Sequence, residues 1–276
     1  MPELGKYATL EVVKLVDFGA YLNAGDFGQV LLPRKYQPQD CQVGDQVKVF
    51  LYLDSNDALI ATTQRPRAQV GEFAYLKTIA TSRIGAFLDW GLDKDLLLPF
   101  AAQKHPAEEG KSYLVYVHIN HADERIVATS KIDRFVDETS ANYKKGETVK
   151  LIIAGKTDLG YKAIINNAHW GLIHNSDIFQ TLKVGQKVQG FIKQIRHDDK
   201  IDLSLQQGSK QQLDKFSNSL LIKLNQAGGF LPLNDKTDAT VIYDRLGVSK
   251  KVFKKTIGGL FKQKLISIDT DGIRLK

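Results

Sequence analysis

Apolar and polar residues alternate with a period of two along much of the first two thirds of the chain. In residues 47–53 the odd positions are Val or Leu, and residues 113–119 repeat this alternation. This is the pattern of a β-strand with one buried face. Residues 54–57 and 196–199 are polar turn sequences, each joining two strands into a hairpin. The pattern predicts many short antiparallel strands.

One template of spacing occurs three times. Each copy has a glycine inside a strand-like run, a second run ending fourteen residues later, and another glycine after twenty-five residues. Five short strands in about 65 residues are typical of a small Greek-key barrel. A glycine inside a strand marks a bulge or a close approach of two backbones. We therefore predict three tandem barrels, over residues 1–67, 68–134 and 145–208. The three sets of marker positions are Gly19, Pro33 and Gly44; Gly85, Pro99 and Gly110; and Gly160, His174 and Gly185.

The pattern becomes helical after about residue 209. Apolar residues at helical spacing predict a first helix over about 210–225, ended by Gly228 and Gly229, and a second over 240–246. Ser249 is a good N-cap for a third helix that reaches about Leu265. Two short strands around Thr270 and Asp271 then form a hairpin. This order predicts a winged helix-turn-helix domain over residues 209–276. The predicted apolar face of the third helix contains Phe253, Ile257, Leu260, Phe261 and Leu265.

Between the second and third barrels, residues 131–145 are predicted to be a linker with a short helix around 132–136. The whole prediction is a multi-domain, mainly β protein.

Charge is divided unevenly along the chain. The net charge is +7, but residues 1–140 carry 15 Lys and Arg against 19 Asp and Glu, whereas residues 141–276 carry 23 against 12. A basic half favours a polyanionic partner, although charge also varies between domains without function. A single cysteine, Cys41, excludes an internal disulfide. With no signal peptide and no run of about 18 apolar residues, a cytoplasmic protein without a membrane partner is expected.

Four segments resemble known families. Residues 171–178, Gly-Leu-Ile-His-Asn-Ser-Asp-Ile, resemble the Gly-Leu-(Val/Ile)-His-x-Ser-(Glu/Asp)-Ile signature of the ribosomal S1 RNA-binding domain, and residues 18–21 resemble its Phe-Gly-Ala-Phe. Three such repeats followed by a winged helix resemble the bacterial conserved virulence factor B family, as do residues 157–162 and 271–275. The resemblance implies OB-fold barrels of the S1 type and an RNA-binding regulatory protein whose loss alters the expression of other genes.

The S1 pattern places two aromatic residues around the bend glycine and a histidine after the next strand, and no copy here has all three. The first copy has Phe18 and Tyr21 but Pro33, and the second has only Phe87. The third has Leu159 and Lys162 in place of the aromatic pair but keeps His174. Modest and unequal affinities of the three barrels are therefore expected.

Single-stranded nucleic acid presents flat bases and a charged backbone, so a binder needs exposed aromatic rings beside cations. Phe18, Tyr21 and Phe87 are the candidate stacking residues. Phe50 and Tyr52, on the outward side of their strand, are secondary candidates. The alternative is that these rings cover a barrel or pack between domains.

Candidate cations lie in the second and third barrels and in the third helix. For the cations of the barrels, the alternative is that they form an ordinary solvated face. For His174, the alternative is a purely structural role. In the helix the lysines lie opposite the apolar face, which suits contacts to a phosphate backbone. The helix has no Arg or Asn to read bases, so backbone contact or protein docking is favoured over sequence recognition. Simple solubility is the alternative. The candidates are Arg125 in the second barrel; Lys162, His174, Lys193, Arg196 and Lys200 in the third; and Lys251, Lys254, Lys255 and Lys262 in the helix.

Enzyme motifs are missing from the sequence. There is no phosphate-binding loop and no dinucleotide-binding glycine pattern. Two places are weak candidates for a metal site. One is the pair His118 and His121 in a strand and turn, and the other is the acids of residues 197–199 in a turn. We expect a non-catalytic protein without metal or cofactor.

The predicted function is binding of single-stranded RNA in post-transcriptional regulation, with duplex nucleic acid or a protein as a second partner of the winged helix. The alternatives are a DNA-binding transcription regulator that uses the winged helix, and an adaptor associated with ribosomes or nucleases.

Overall fold

Each of the three repeats forms a closed five-stranded barrel. The computed structural model describes residues 1–137, 142–178, 181–205 and 209–276, without the side chains of Ser176 and residues 209–215. In every barrel the first three strands are consecutive neighbours, and the fifth strand lies between the third and the fourth. The pairing of third and fifth strands is parallel where Leu31 faces Ile60 and where Leu97 faces Val127. This is an OB-type barrel, and the predicted fold of the repeats is confirmed.

The strands of the first barrel are β1 Tyr7–Val16, β2 Gly19–Asn23, β3 Gln29–Pro33, β4 Gln46–Leu53 and β5 Leu59–Thr62. Those of the second are β6 Phe73–Thr81, β7 Gly85–Asp89, β8 Leu96–Pro99, β9 Ser112–Ile119 and β10 Ile126–Thr129. Those of the third are β11 Thr148–Thr157, β12 Gly160–Ile165, β13 His169–His174, β14 Lys187–Ile195 and β15 Ile201–Ser204.

The chain divides into two compact units. The first is Met1–Tyr143, Val149–Gln189 and Ile195–Asp202, and the second is Lys144–Thr148, Gly190–Gln194 and Leu203–Lys276. The predicted domain boundaries remain predictions. The short helix predicted around 132–136 is a 3-10 turn over Ile132–Phe135, whereas residues 138–141 of the predicted linker lie outside the described residues.

The glycine that begins the second strand of each barrel, which we call its opening glycine, lies where two strands are too close together for a side chain. A Cβ atom added to Gly85 would lie 2.3 Å from the carbonyl oxygen of Leu98, and one added to Gly160 would lie 1.9 Å from that of Ile173. Both glycines also have a φ near +150°, which side-chain-bearing residues rarely adopt. The predicted close approach of backbones is confirmed.

Strand β4 buries both of its faces over residues 49–52, and β9 does so at Leu114 and Val115, because successive barrels of the first unit pack on each other. Val49 and Leu51 belong to the core of the first barrel, whereas Phe50 and Tyr52 join the core cluster of the second. The Phe50 ring lies edge-on to Trp90, with 5.8 Å between ring centroids. Burial raises the pKa of Tyr52 to about 12.

The prediction that Phe50 and Tyr52 are secondary stacking residues is therefore wrong, since they are 0% and 4% exposed. The alternative, packing between barrels, is what the structure has. The alternation of residues along a strand shows which side chains share a face, but not whether another part of the protein covers that face.

Strand β9 meets the third barrel in the same way. Val115 and Val117 lie in the core of the second barrel. Leu114 instead lies in a cluster with Ile152 and Ile164 of the third barrel, against which Tyr116 and Trp170 pack.

The C-terminal domain is a winged helix, as predicted. Its helices are α1 Ser209–Gln226, α2 Ala239–Leu246 and α3 Lys250–Lys262, and its strands are β16 Phe230–Leu231, β17 Ile266–Ile268 and β18 Ile273–Leu275. The Ser249 side chain accepts a hydrogen bond from the Val252 N–H and caps α3. None of the described helices is long and apolar enough to span a membrane.

The end of α3 differs from the prediction. Lys264 has a φ of +61°, and the N–H of Leu265 donates to the carbonyl of Leu260, which is the Schellman type of helix end. This turn removes Leu265 from the helix, so helical spacing no longer describes it. Leu265 and Phe261 are 41% and 50% exposed, and their assignment to the apolar face is wrong. Phe253, Ile257 and Leu260 are buried as predicted.

We predict that Gly160→Ala lowers the free energy of unfolding by about 1–3 kcal/mol, because the new methyl group meets the Ile173 carbonyl and the backbone is strained. Gly155→Ala in β11 is the matched control, since its Cβ would meet nothing within 4 Å. Thermal and denaturant unfolding of both variants measures the difference. Equal stabilities would contradict the close approach.

Candidate nucleic-acid interface

Each barrel exposes one apolar side chain at the bend before its opening glycine. Phe18, Ile84 and Leu159 are 59%, 62% and 63% exposed. In each case the backbone carbonyl of this residue accepts a hydrogen bond from the N–H just after the third strand, at distances of 2.9, 3.3 and 3.0 Å. This bond holds the bend in all three barrels, so the side chain at this position projects into solvent in each of them.

The first barrel has an aromatic corner at this bend. The rings of Phe18 and Tyr21 lie edge to face, with centroids 6.5 Å apart and an interplanar angle of 84°. Arg34 is exposed beside them: its N–H bonds to the Phe18 carbonyl and its guanidinium donates to the Asp17 carbonyl at 3.2 Å. The structure therefore places both predicted rings, and a cation that the sequence did not single out, at one corner, where Phe18 and Arg34 are exposed and Tyr21 is half-buried.

The second barrel surrounds Phe87 with acids. Phe87 is half-buried and lines a cleft of about 450 Å³ with Asp57, Asp93, Asp95, Lys94 and Arg125. Arg125 forms an ion pair with Asp57 in the last hairpin turn of the first barrel. Hydrogen bonds from Lys35, Tyr36 and Gln64 hold the pKa of Asp93 at about 2, so this carboxylate stays charged. Arg125 is therefore paired with a carboxylate, although the two side chains are 51% and 38% exposed.

In the third barrel, Lys162 lies over an aromatic ring that the sequence did not single out. Its Nζ is 3.8 Å from the centroid of Trp170 and 3.9 Å from Asp133 Oδ1. A cation over an indole face is attracted by the ring quadrupole. Trp170 is half-buried, and its indole N–H is buried with no acceptor among the described residues. Packing and the ammonium group, not a hydrogen bond, hold this ring.

His174 and Arg196 share one buried carboxylate, that of Asp202. Arg196 Nε lies 2.9 and 3.0 Å from the two oxygens of Asp202, and its Nη2 lies 2.6 Å from Oδ1. This bonding raises the pKa of Arg196. His174 Nε2 lies 2.9 Å from Asp202 Oδ1 and 2.8 Å from Arg196 Nη2. One nitrogen makes only one of these two bonds at a time, because it donates to the carboxylate but accepts from the guanidinium.

Asp202 was missed by sequence reasoning, although a signal was present. It is the second residue of β15, where Ile60 and Val127 are the second residues of β5 and β10. An acid at a position that is apolar in the other two copies needs a partner, because a buried charge is costly alone. His174 therefore has the structural contacts that were its alternative role.

The remaining predicted cations are exposed. Lys200 is 71% exposed and pairs with Asp198 at 2.9 Å, and Lys193 lies on an exposed position of β14. Lys251, Lys254, Lys255 and Lys262 are all exposed along α3, where Lys254 is 3.9 Å from Asp235. The structure brings Lys162 and Lys200 to one cleft of about 640 Å³, with Leu159 and Trp170. No cluster of metal-ligand side chains is present among the described residues.

Two domain families match the chain. The S1 domain matches residues 4–64, which contain the first barrel, and the CvfB-like winged helix domain matches residues 218–275. These domains and the three closed barrels define a multidomain protein built from nucleic-acid-binding domains.

The resemblance to the conserved virulence factor B proteins is confirmed over nearly the whole chain. Conserved virulence factor B of Staphylococcus aureus (strain N315) is 26% identical over 284 residues, covering 99% of this chain and 94% of that protein. Protein YitL of Bacillus subtilis (strain 168) is 27% identical over 274 residues, covering 94% and 89%. A crystal structure of a multidomain protein with nucleic acid binding domains from Streptococcus pneumoniae is 24% identical, covers 99% of this chain and 98% of that one, and has a TM-score of 0.42. None of the matched families is a known catalytic one.

We predict that Asp202→Ala lowers the free energy of unfolding by about 1–3 kcal/mol, because Arg196 and His174 lose their shared acceptor. Asp198→Ala removes an exposed acid from the adjoining turn and should change stability by less than about 0.5 kcal/mol. Denaturant unfolding compares the two variants. A decrease as large for Asp198→Ala as for Asp202→Ala would contradict the structural role of the cluster.

Proposed function

We propose that this is a non-catalytic, cytoplasmic protein that binds single-stranded RNA and regulates gene expression after transcription. The observation that carries the proposal is the exposed corner of Phe18 and Tyr21 beside Arg34, in the barrel that matches the S1 domain. A base that stacks on such a ring contributes about 1–3 kcal/mol, whatever its identity. This chemistry suits an unpaired strand, because the bases of a duplex are already stacked on each other.

The three barrels contribute unequally. Only the first has the full aromatic pair, the second surrounds Phe87 with carboxylates, and the third offers Leu159 and Lys162 at the matching positions. One stack of about 1–3 kcal/mol gives weak binding by itself. Linked sites raise the overall affinity, because the second contact forms within one molecule.

The winged helix adds phosphate contacts in this proposal. The exposed face of α3 carries Lys251, Lys254 and Lys255. The hairpin of β17 and β18 carries Asp269 and Asp271, and both pair with Arg274 at 2.7 and 2.5 Å. Acids at the hairpin would repel a phosphate backbone. Contact through α3 alone is therefore favoured over contact through both α3 and the hairpin, which binding to a duplex would use. The same face could also dock a protein partner.

We predict that Phe18→Ala with Tyr21→Ala weakens binding of a single-stranded oligonucleotide about tenfold or more, because the variant cannot form a stack worth about 1–3 kcal/mol. Binding of a duplex of the same length should change much less. Fluorescence anisotropy with labelled oligonucleotides measures both affinities. Phe27→Ala, which removes a 46% exposed ring from the same barrel, is the control. Equal decreases on both substrates, or an equal decrease with Phe27→Ala, would exclude stacking.

We predict that replacing Lys251, Lys254 and Lys255 with Ala lowers affinity for nucleic acid. The dependence of log affinity on log salt should also fall by about one unit for each phosphate that the variant no longer binds. Three exposed strand lysines, Lys48, Lys77 and Lys150, are the matched control set. Anisotropy titrations across salt give the slope. If only duplex DNA binding falls, the DNA-binding regulator is supported instead. If neither affinity changes, α3 is not a nucleic-acid surface.

A further inference from the structure

The two clefts that adjoin the predicted stacking positions are not positively charged. The cleft beside Phe87 has Asp57, Asp93 and Asp95 against Lys94 and Arg125, a net charge of −1. The cleft beside Leu159 has Asp158, Asp198 and Asp199 against Lys162 and Lys200, which is also −1. Neither cleft attracts a polyanion by its own charge. The phosphates of a bound strand need another surface.

A third cleft, between the second and third barrels of the first unit, has the opposite sign. We call it the seam cleft. It has a volume of about 310 Å³, and Lys104, Lys156, Lys162 and His105 line it together with a single carboxylate, Asp133. Its net charge is +2 with the histidine neutral. Like charges gathered in a concave surface focus the field and raise the local concentration of a counter-ion.

The lysines of the seam cleft are held by weak contacts. Lys104 of the second barrel and Lys162 of the third approach the same Asp133 carboxylate, at 3.2 and 3.9 Å, and all three side chains are 40–58% exposed. Exposed ion pairs contribute at most about 1 kcal/mol. An incoming phosphate can therefore replace Asp133 at small cost, and both ammonium groups are already directed to one place.

Trp170 joins the seam cleft to the cleft beside Leu159. Both clefts are lined by Thr157, Lys162 and Trp170. The Trp170 ring packs against the apolar cluster between the second and third barrels, and Lys162 lies over its face. The ring therefore positions the ammonium group where the two clefts meet. A strand that enters at Leu159 reaches the lysines of the seam without leaving the surface.

We propose that the seam cleft is a phosphate-binding subsite for single-stranded nucleic acid, in which Lys104, Lys156 and Lys162 contact phosphates and Trp170 positions Lys162. This inference rests on the proposed function and deepens it by placing the backbone of the strand between two barrels. It differs from the aromatic corner of the first barrel, which contacts bases and lies elsewhere in the same unit.

Tryptophan fluorescence of the full chain provides a direct test. The chain has two tryptophans. Trp90 is 3% exposed and its indole N–H donates to the Lys94 carbonyl at 2.6 Å. Because Trp90 borders the cleft beside Phe87, the Trp170→Phe variant is needed to assign the emission change to Trp170. Adding oligouridine should quench the emission of the wild type. The quenching should disappear in Trp170→Phe, although anisotropy still detects binding.

Three charge variants separate this proposal from non-specific attraction. Lys104→Ala with Lys156→Ala should reduce the salt slope of binding by about two and weaken the quenching. Lys77→Ala with Lys150→Ala removes the same charge from exposed positions that line neither cleft, and should leave the quenching unchanged. Asp133→Asn removes the competing carboxylate and should tighten binding, a gain that misfolding cannot produce.

The possible failures are distinguishable. If oligouridine binds by anisotropy but Trp170 emission does not change, or if both lysine pairs have equal effects, the seam cleft is excluded and the proposed function stands. If polyglutamate quenches Trp170 as strongly as oligouridine does, the seam is an acidic-protein site and the nucleic-acid subsite is excluded. If the wild type binds no oligonucleotide at all, both proposals fail.

Discussion

Packing of apolar and aromatic side chains between successive barrels is the interaction on which the first unit depends. Each barrel of some 65 residues encloses a small core, and small cores alone give marginal stability. Phe50 and Tyr52 leave the first barrel to join the core cluster of the second, and Leu114 joins a cluster with residues of the third. Because parts of β4 and β9 bury both faces, the barrels share their apolar surface and stabilise one another.

This sharing determines which surfaces are free for a ligand. Aromatic residues on the outward faces of β4 and β9 are used for contacts between barrels. The exposed apolar side chain that recurs in all three barrels lies instead at the bend before each opening glycine, where Phe18, Ile84 and Leu159 project. The contacts between barrels also create a cleft that no single barrel has. The seam cleft needs Lys104 from the second barrel and Lys162 from the third.

The third barrel shows how a polar cluster replaces an apolar one at the same position of the fold. Ile60 and Val127 occupy the position that Asp202 has in the third copy. The carboxylate is 3% exposed, and Arg196 and His174 supply the partners that a buried acid requires. Arg196 and His174 match the pattern of ligand-binding side chains in the sequence, but both already bond to Asp202. Their positions are therefore fixed by this carboxylate.

Local structure follows from short-range patterns in the sequence. Alternation and the spacing of Gly19, Gly85 and Gly160 predicted the strands and the repeat, because strand period and backbone crowding are local properties. The Ser249 cap and the apolar spacing of Phe253, Ile257 and Leu260 predicted α3 for the same reason. Which side chains are exposed, and which are paired, depends on how the barrels pack. Phe50, Tyr52 and Arg125 match the pattern of ligand-binding residues, but a neighbouring barrel covers the two rings and supplies Asp57 to the guanidinium. Such contacts join residues far apart in the chain, and no short-range pattern encodes them.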